Sequence, residues 1–420
     1  MDTTQLHNQR KISRWLAEIE EQWYPLHREI EDIVESNQEK LLKAYQAENI
    51  SSHHLQGSDG YGYDDAGREA LEQVYARAFG TEAALVRPQF VSGTHAITAA
   101  LFGNLRPGDE IVYASGDPYE TMKEVLGLVG NSPGHFGEYD IHTRVLPLTS
   151  TGHVNLEHLP DVVNEKTKWV VLQRSRGYDE RPSIPIASLA QQIQYIKTRW
   201  PEVHIFIDNC YGEFVEKNEP GDIGADLIAG SLIKNPGGGL AKTGGYIAGK
   251  KRFVEQAASR LSAPGIGLEA GATGGFLNEA LQGFFLAPMI VGEALKGAHF
   301  TAALLQKAGL QTSPDPFTER TDLIQSLTFT HRDAMITFCQ SIQKHSPIDA
   351  YAAPIPGPLP GYEGEVIMAA GTFVQGASIE LSADGPVKPP YIAYVQGGLS
   401  FAHVKIAVVH ALDDMLSNFT

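Results

Sequence analysis

The sequence predicts an α/β protein: a large domain on a mostly parallel seven-stranded sheet, followed by a smaller C-terminal α+β domain. Three observations carry this expectation. Short β-branched runs alternate with helical patterns from about 60 to 250, a rhythm of βαβ units. A long, largely helical stretch at 276–309 then leads the chain away, and mixed strand and helix patterns fill the remainder. With 420 residues, 42% hydrophobic and 20% charged, the chain can bury a sizeable core and divide into two or three parts.

Taken in order, residues 1 to about 50 place apolar residues at helical spacing among many charges (ISRWLAEIEEQW, IEDIVESNQEKLLKAYQ), as amphipathic helices with one dry face do. These give a helical arm over 1–55. The large domain, 56–285, takes its seven strands from AALVR, EIVYAS, TRVLPL, KWVVLQ, VHIFIDN, LIAGSLI and GGYIAG. In the connecting helix Pro288 predicts a break or kink, because proline lacks the donor for the helical hydrogen bond. The small domain, 286–420, draws on DLIQSLTFT, AMITFCQSIQ, EVIMAAGTFV, ASIELS and the final helix AHVKIAVVHALDDML, with APIPGPLPGYEGE read as an ordered loop.

Lys and Arg total 33 against 50 Asp and Glu, a net charge of −17 that argues against nucleic acid and anionic membranes as partners and favours small-molecule chemistry. The amino terminus is polar, only Cys210 and Cys339 are present, and no apolar run approaches the roughly 18 residues of a membrane span, so a cytoplasmic location is expected.

Two glycine motifs fail on context. GGYIAGK, 244–250, nearly spells a phosphate-binding loop, but Lys251 stands where a magnesium-binding Ser or Thr is needed. Gly265, Gly267 and Ala270 have dinucleotide spacing, yet they follow a helical pattern instead of a strand, so they read as a helix-opening loop.

Four other features recur along the alternating region. VSGTHAITAALFG sets Ser92, Gly93 and Thr94 before an apolar helical pattern, which is either an anion site or a simple helix cap. EIVYASGDPYETM puts Tyr119 just after a strand, either against a planar ligand or as an ordinary loop residue. VHIFIDNCYGEF ends an apolar strand on Asp208, a costly place for a carboxylate without a partner, although local capping is the alternative. GSLIKNPGGG supplies Lys234, with Ser231 three residues before it; taken alone, such a lysine would be solvated. Together the four fit pyridoxal 5′-phosphate: a helix amino terminus for its phosphate, a ring to stack on, a carboxylate for its pyridine nitrogen and a lysine for its aldehyde. The glycines around Lys234 are then expected to let backbone pass close to the cofactor. No metal site is expected.

At these residues the chain resembles the fold-type I pyridoxal-phosphate enzymes of cysteine and methionine metabolism. GYGYDDAGREALE, QFVSGTHAI, LRPGDE, GDPYET, QRSRGY, FIDNCYGEF, GSLIKNPGGG and PPYIAYVQGGL are similar to the methionine γ-lyase-like group often labelled aluminium resistance proteins. The resemblance implies Lys234 as the Schiff-base lysine, Asp208 on the pyridine nitrogen and Tyr119 on the ring. It also implies Ser92, Gly93, Thr94 and Ser231 around the phosphate, with Tyr61 reaching in from a neighbouring subunit of a homodimer or homotetramer. Two departures stand out. The better-known lyases carry arginine two residues after that tyrosine, where this chain has Tyr63, and they hold the substrate carboxylate with a late arginine, whereas no arginine here follows Arg332. Arg174 and Arg176 in QRSRGYDERP, with Tyr63, are the substitutes; a carboxylate fork and surface salt bridging are equal readings of the two arginines.

The expected function is therefore a carbon–sulfur lyase acting on an amino acid by β- or γ-elimination. The alternatives are retro-aldol cleavage of a β-hydroxy amino acid, with His53, His54 or His95 as base, and a cofactor-binding regulatory protein without turnover.

Overall fold

The computed structural model describes residues 3–130, 132–358 and 364–419. It divides into two compact units, Asn37–Leu286 and the pair of segments Met1–Ser36 and Ala287–Thr420.

In the 37–286 unit, helix α1 (Thr3–Ala47) ends, and α2 (Ala66–Ala78), β1 (Ala83–Arg87), α3 (Gly93–Gly103), β2 (Glu110–Tyr113), α4 (Glu120–Leu126) and β3 (His142–Val145) follow. Next come α5 (Leu159–Val162), β4 (Thr167–Gln173), α6 (Ile186–Arg199), β5 (His204–Asp208), β6 (Leu227–Ser231), β7 (Gly245–Gly249) and α7 (Lys251–Leu261), before α8 (Phe276–Lys307) begins. All seven expected strands form one sheet, in the order β1-β7-β6-β5-β4-β2-β3. The neighbours from β6 through β5, β4 and β2 to β3 run parallel, and β7 alone runs antiparallel to both of its neighbours. The central strands are apolar throughout, as strands covered on both faces must be: Val170, Val171, Leu172, Ile205, Phe206 and Ile207 are buried almost completely. Helices α3 and α7 contribute Ala96, Ala100, Leu101, Phe253, Val254 and Ala257 to the core on one face.

Pairing register sets the later argument. Gln173 of β4 lies opposite Asp208, and Asp208 lies opposite Ala229 of β6, so the carboxyl ends of three parallel strands stand side by side. Ligands of open α/β sheets bind at that edge.

The second unit holds a six-stranded antiparallel sheet of β8 (Gln311–Ser313), β9 (Gln325–Phe329), β10 (Gly357–Pro358), β11 (Glu365–Ala369), β12 (Ser382–Pro386) and β13 (Tyr391–Gln396), in the order β10-β11-β12-β13-β9-β8. Helices α9 (Arg332–Lys344) and α10 (Phe401–Phe419) cover it. Ile12, Trp15, Ile19 and Trp23, three or four residues apart on α1, bury one stripe in the same core, and Trp23 stacks on Phe401. The helices expected for the arm are one continuous helix through Pro25.

One local expectation changes, and one of the quoted runs divides between turn and strand. Pro288 does not break its helix: α8 runs unbroken from Phe276 to Lys307. The apolar run ASIELS forms buried turns up to Leu381, and strand β12 starts only at Ser382. There the Glu380 carboxylate accepts from the Phe373 and Val374 amides at 2.8 and 2.9 Å, satisfying loop backbone that a strand would have paired. Within the proline-rich stretch, β10 forms, and 359–363 lie outside the described residues.

Candidate active site

Asp208 closes strand β5 with only 5% of its surface exposed. Its Oδ1 accepts the Cys210 amide at 3.1 Å. Burial pushes the carboxyl's pKa up, against the pull of Lys234 and of the Cys210 amide, so the group calls for a cationic partner to remain ionised.

One strand away, Ser231 ends β6 and is buried. Against it packs the amino terminus of α3: a β-carbon on Gly93 would stand 3.3 Å from both Cys210 Sγ and Ser231 Cβ, so a side chain there would crowd the two. Ser92 caps α3, its Oγ accepting the His95 amide at 3.0 Å, which leaves its own O–H to donate outward. Thr94 Oγ1 and the Tyr119 hydroxyl share a 3.1 Å hydrogen bond. Tyr119 opens α4, and burial followed by the Asp208 charge holds its hydroxyl well above the usual phenol range.

Lys234 follows β6, and its Nζ sits 4.0 Å from the centre of the Tyr211 ring. Burial opposes its charge while Cys210, Tyr211, Asp208 and Glu213 favour it, and the net displacement of its pKa is upward. Burial also raises the Cys210 thiol well above its ordinary range, leaving it neutral, so the carboxyls account for the ionic part of this effect. Two glycines of the frame have a cause within the fold itself. A β-carbon on Gly237 would collide with the Leu232 carbonyl, and one on Gly230 would lie 2.5 Å from Glu213 Oε1. These two glycines let the lysine loop fold against its own domain.

The geometry thus gathers Ser92, Gly93, Thr94, Tyr119, Asp208, Ser231 and Lys234 at one edge of one sheet. It does not bring the two arginines there as open forks. Arg174 is wholly buried: Nη1 donates to Asn209 Oδ1 at 2.9 Å and to the Gly212 carbonyl at 2.8 Å, and Nη2 to Glu216 Oε2 at 2.5 Å. The surface-pair reading is therefore corrected for Arg174, because a guanidinium at this depth ties strand β4 to the loop after β5. Arg176, 4% exposed, donates to the carbonyls of Arg181 and Glu180 at 3.0 and 2.9 Å, closing the loop that follows β4. It too is no surface pair.

Tyr61 and Tyr63 are 74% and 59% exposed and stack on each other, ring centres 5.4 Å apart. Their loop is pinned from below: Arg68 donates to the Gly62 and Gly271 carbonyls, and Asp65 accepts from Ser58, from Thr273 at 2.6 Å and from the Arg68 amide at 2.9 Å. His95 is spent on local structure, Nδ1 accepting the Val91 amide at 3.2 Å, and burial lowers its pKa. His54 Nδ1 likewise accepts the Ser51 amide at 3.0 Å.

Sequence reasoning missed Tyr211 and Glu213. Both lie in the quoted run FIDNCYGEF; Tyr211 and the neighbouring Phe214 adopt φ of 71° and 62°, a left-handed region that side-chain-bearing residues enter at a cost and that no residue type in the run announces.

A parallel sheet with a lysine, an aspartate and a capped helix terminus converging at its carboxyl edge has the fold-type I architecture of pyridoxal-phosphate enzymes. The pyridoxal-phosphate-dependent YhfS of Escherichia coli shares the fold, with a TM-score of 0.63 and 17% identity over 93% of this chain and 97% of its own. The chain belongs to the methionine gamma-lyase family, whose sequence profile matches residues 12–416. A Listeria monocytogenes structure, provisionally named a cystathionine beta-lyase involved in aluminium resistance, is 51% identical with a TM-score of 0.94, over 97% of this chain and all of that one. YnbB of Bacillus subtilis (strain 168) is 52% identical over 96% of both chains.

Proposed function

We propose that the protein is a pyridoxal-phosphate-dependent carbon–sulfur lyase that cleaves an amino acid of the cystathionine and methionine class by β- or γ-elimination. The observation that carries this reading is a half-buried amine beside a buried carboxylate, Lys234 after the end of β6 and Asp208 at the end of the neighbouring β5. The residues fit the cofactor by their donor chemistry. A protonated pyridine nitrogen is the cationic partner the buried Asp208 carboxyl requires, and an aldehyde takes the Lys234 amine. Ser92, the Gly93 amide, Thr94 and Ser231 offer hydroxyl and N–H donors to a phosphate at the amino terminus of α3, and Tyr119 supplies the stacking ring.

When bound, the cofactor supplies an electron-accepting ring. The chain's own residues do the rest. Asp208 keeps a positive charge on the pyridine nitrogen, Lys234 Nζ takes the proton from the substrate Cα, and the carboxyls around Lys234 favour its retaining that proton. Tyr211 holds the amine in place through its ring face. Tyr61 and Tyr63, exposed on a pinned loop, are assigned to a second copy of the chain, which makes the working unit a homo-oligomer.

Incubating the cofactor-loaded protein with cystathionine, methionine, cysteine and allo-threonine tests the reading. Keto acid with ammonia and a thiol is the expected outcome; glycine and acetaldehyde from allo-threonine alone contradict it.

A further inference from the structure

The turn that follows strand β5, residues 209–214, carries Tyr211 and enters the left-handed region twice, at Tyr211 and at Phe214. Residues with side chains persist there where their surroundings over-determine them. Two buried charges supply that constraint. Glu219 is wholly buried: its Oε1 accepts the Phe214 amide at 2.8 Å, and its Oε2 accepts Asn209 Nδ2 at 3.0 Å. The carboxylate thus holds both ends of the turn. Arg174 Nη1 stands 3.8 Å from the same Oε2 and donates to Asn209 Oδ1 and to the Gly212 carbonyl. Asn209 and Gly212 bracket Cys210 and Tyr211 in the chain.

The turn is shaped to this ion pair. A β-carbon on Gly212 would come within 2.6 Å of Arg174 Cδ and Nη1, so the guanidinium passes against bare backbone directly after Tyr211. The Gly212 amide donates to the Asn209 carbonyl at 2.9 Å, and the Asn209 amide to the Ala229 carbonyl of β6 at 3.0 Å. Strand β6 leads on to Lys234. The turn that bears the ring and the strand that leads to the amine therefore share one frame, with the amine 4.0 Å from the ring centre. An ion pair that served the fold alone would join helices or strands; the charge-assisted bonds of Glu219 go to the turn.

We propose that Glu219 is a positioning residue, which with Arg174 fixes the turn 209–214 so that the Tyr211 ring lies over the Lys234 amine. It acts through Tyr211. The value of that contact for turnover rests on the proposed function; the placement of the ring does not.

Glu219→Gln keeps the shape of the side chain but sets donor against donor, because its amide nitrogen must face either the Phe214 N–H or Asn209 Nδ2. A double-mutant cycle with Tyr211→Ala tests the inference on the full-length protein. It is read twice, by steady-state kinetics of the cofactor-loaded variants and by the rate at which the cofactor-free variants form a Schiff base with pyridoxal 5′-phosphate, followed by absorbance. The expected result is that Glu219→Gln lowers kcat and the Schiff-base rate by about fivefold to tenfold with KM within about twofold, and lowers neither by more than about twofold in the Tyr211→Ala background. Losses that add in full across the cycle, as general destabilisation would produce, overturn the inference, and so does a Schiff-base rate unchanged in Glu219→Gln. Schiff-base rates that follow the cycle in a protein that turns over none of the sulfur amino acids uphold the positioning and count against the proposed function. Should Glu219→Gln fail to fold, Asn209→Ala takes its place, removing the donor to Oε2 and the acceptor for Arg174 together; additive losses there overturn the inference in the same way.

Discussion

The Lys234 amine lies 4.0 Å above the Tyr211 ring, and Tyr211 reaches that position with a backbone φ of 71°. A tyrosine in the left-handed region gives up about 1–2 kcal/mol of conformational preference, so the surrounding contacts hold it there against a local cost.

That contact gives the first prediction. Tyr211→Phe keeps the ring face and should keep turnover within about threefold, whereas Tyr211→Ala should lose about tenfold, as removal of a desolvated cation–π contact implies. Steady-state kinetics on the cofactor-loaded variants make the comparison. Equal losses in both would mean that the hydroxyl, not the ring, is what Lys234 needs.

Arg174 separates a structural tie from a substrate fork. Its guanidinium is spent on Asn209, Gly212 and Glu216, so Arg174→Met strands two buried acceptors and the Glu216 charge, and should cost about 3–5 kcal/mol of stability. Denaturant unfolding measures this. In whatever fraction folds, KM should change by less than about twofold, since no ground-state contact to substrate is removed. A large rise in KM at unchanged stability would restore the carboxylate reading.

His299 sets an acid limit in the C-terminal unit. Its imidazole is buried, Nδ1 meets the Pro316 carbonyl at 2.6 Å, and burial, then Arg320, bring its pKa from 6.5 down to about 3. The unfolded chain thus binds more protons than the native one between those values. Stability is fully present above about 6.5 and is lost as pH falls toward about 3. His299→Gln should remove that part of the slope, making the protein less acid-sensitive than wild type by about 2 kcal/mol at pH near 5. Parallel thermal unfolding of both proteins from neutral to acid pH checks it, and identical slopes would contradict the assignment.

The large sheet was legible because parallel strands covered on both faces are continuously apolar: KWVVLQ and VHIFIDN announce themselves without reference to anything distant. Asp208 stood out for the related reason that a charge at the end of such a strand is anomalous, and Lys234 stood out from its glycine-rich setting and its fit with the three other features. What was not legible depends on contacts between distant segments. QRSRGYDERP carries no sign that Arg174 turns inward, because Glu216 and Gly212 lie some forty residues on. The glycines near Lys234 were assigned to a ligand, yet Gly237 answers to the Leu232 carbonyl and Gly230 to Glu213, relations that only the folded loop creates. Pro288 reads as an interruption, but α8 continues through it.

The central claim is that Lys234 is the lysine that bonds the cofactor. The nearest rivals in sequence are engaged elsewhere, Lys242 on the surface with Glu279 and Lys250 at 2.6 Å from Asp226. Loading the protein with pyridoxal 5′-phosphate, reducing it with borohydride and mapping the labelled peptide addresses the claim most directly. The account predicts a single label on Lys234 and no label in Lys234→Ala. A label on Lys242 or Lys250, or an undiminished label in Lys234→Ala, would contradict it.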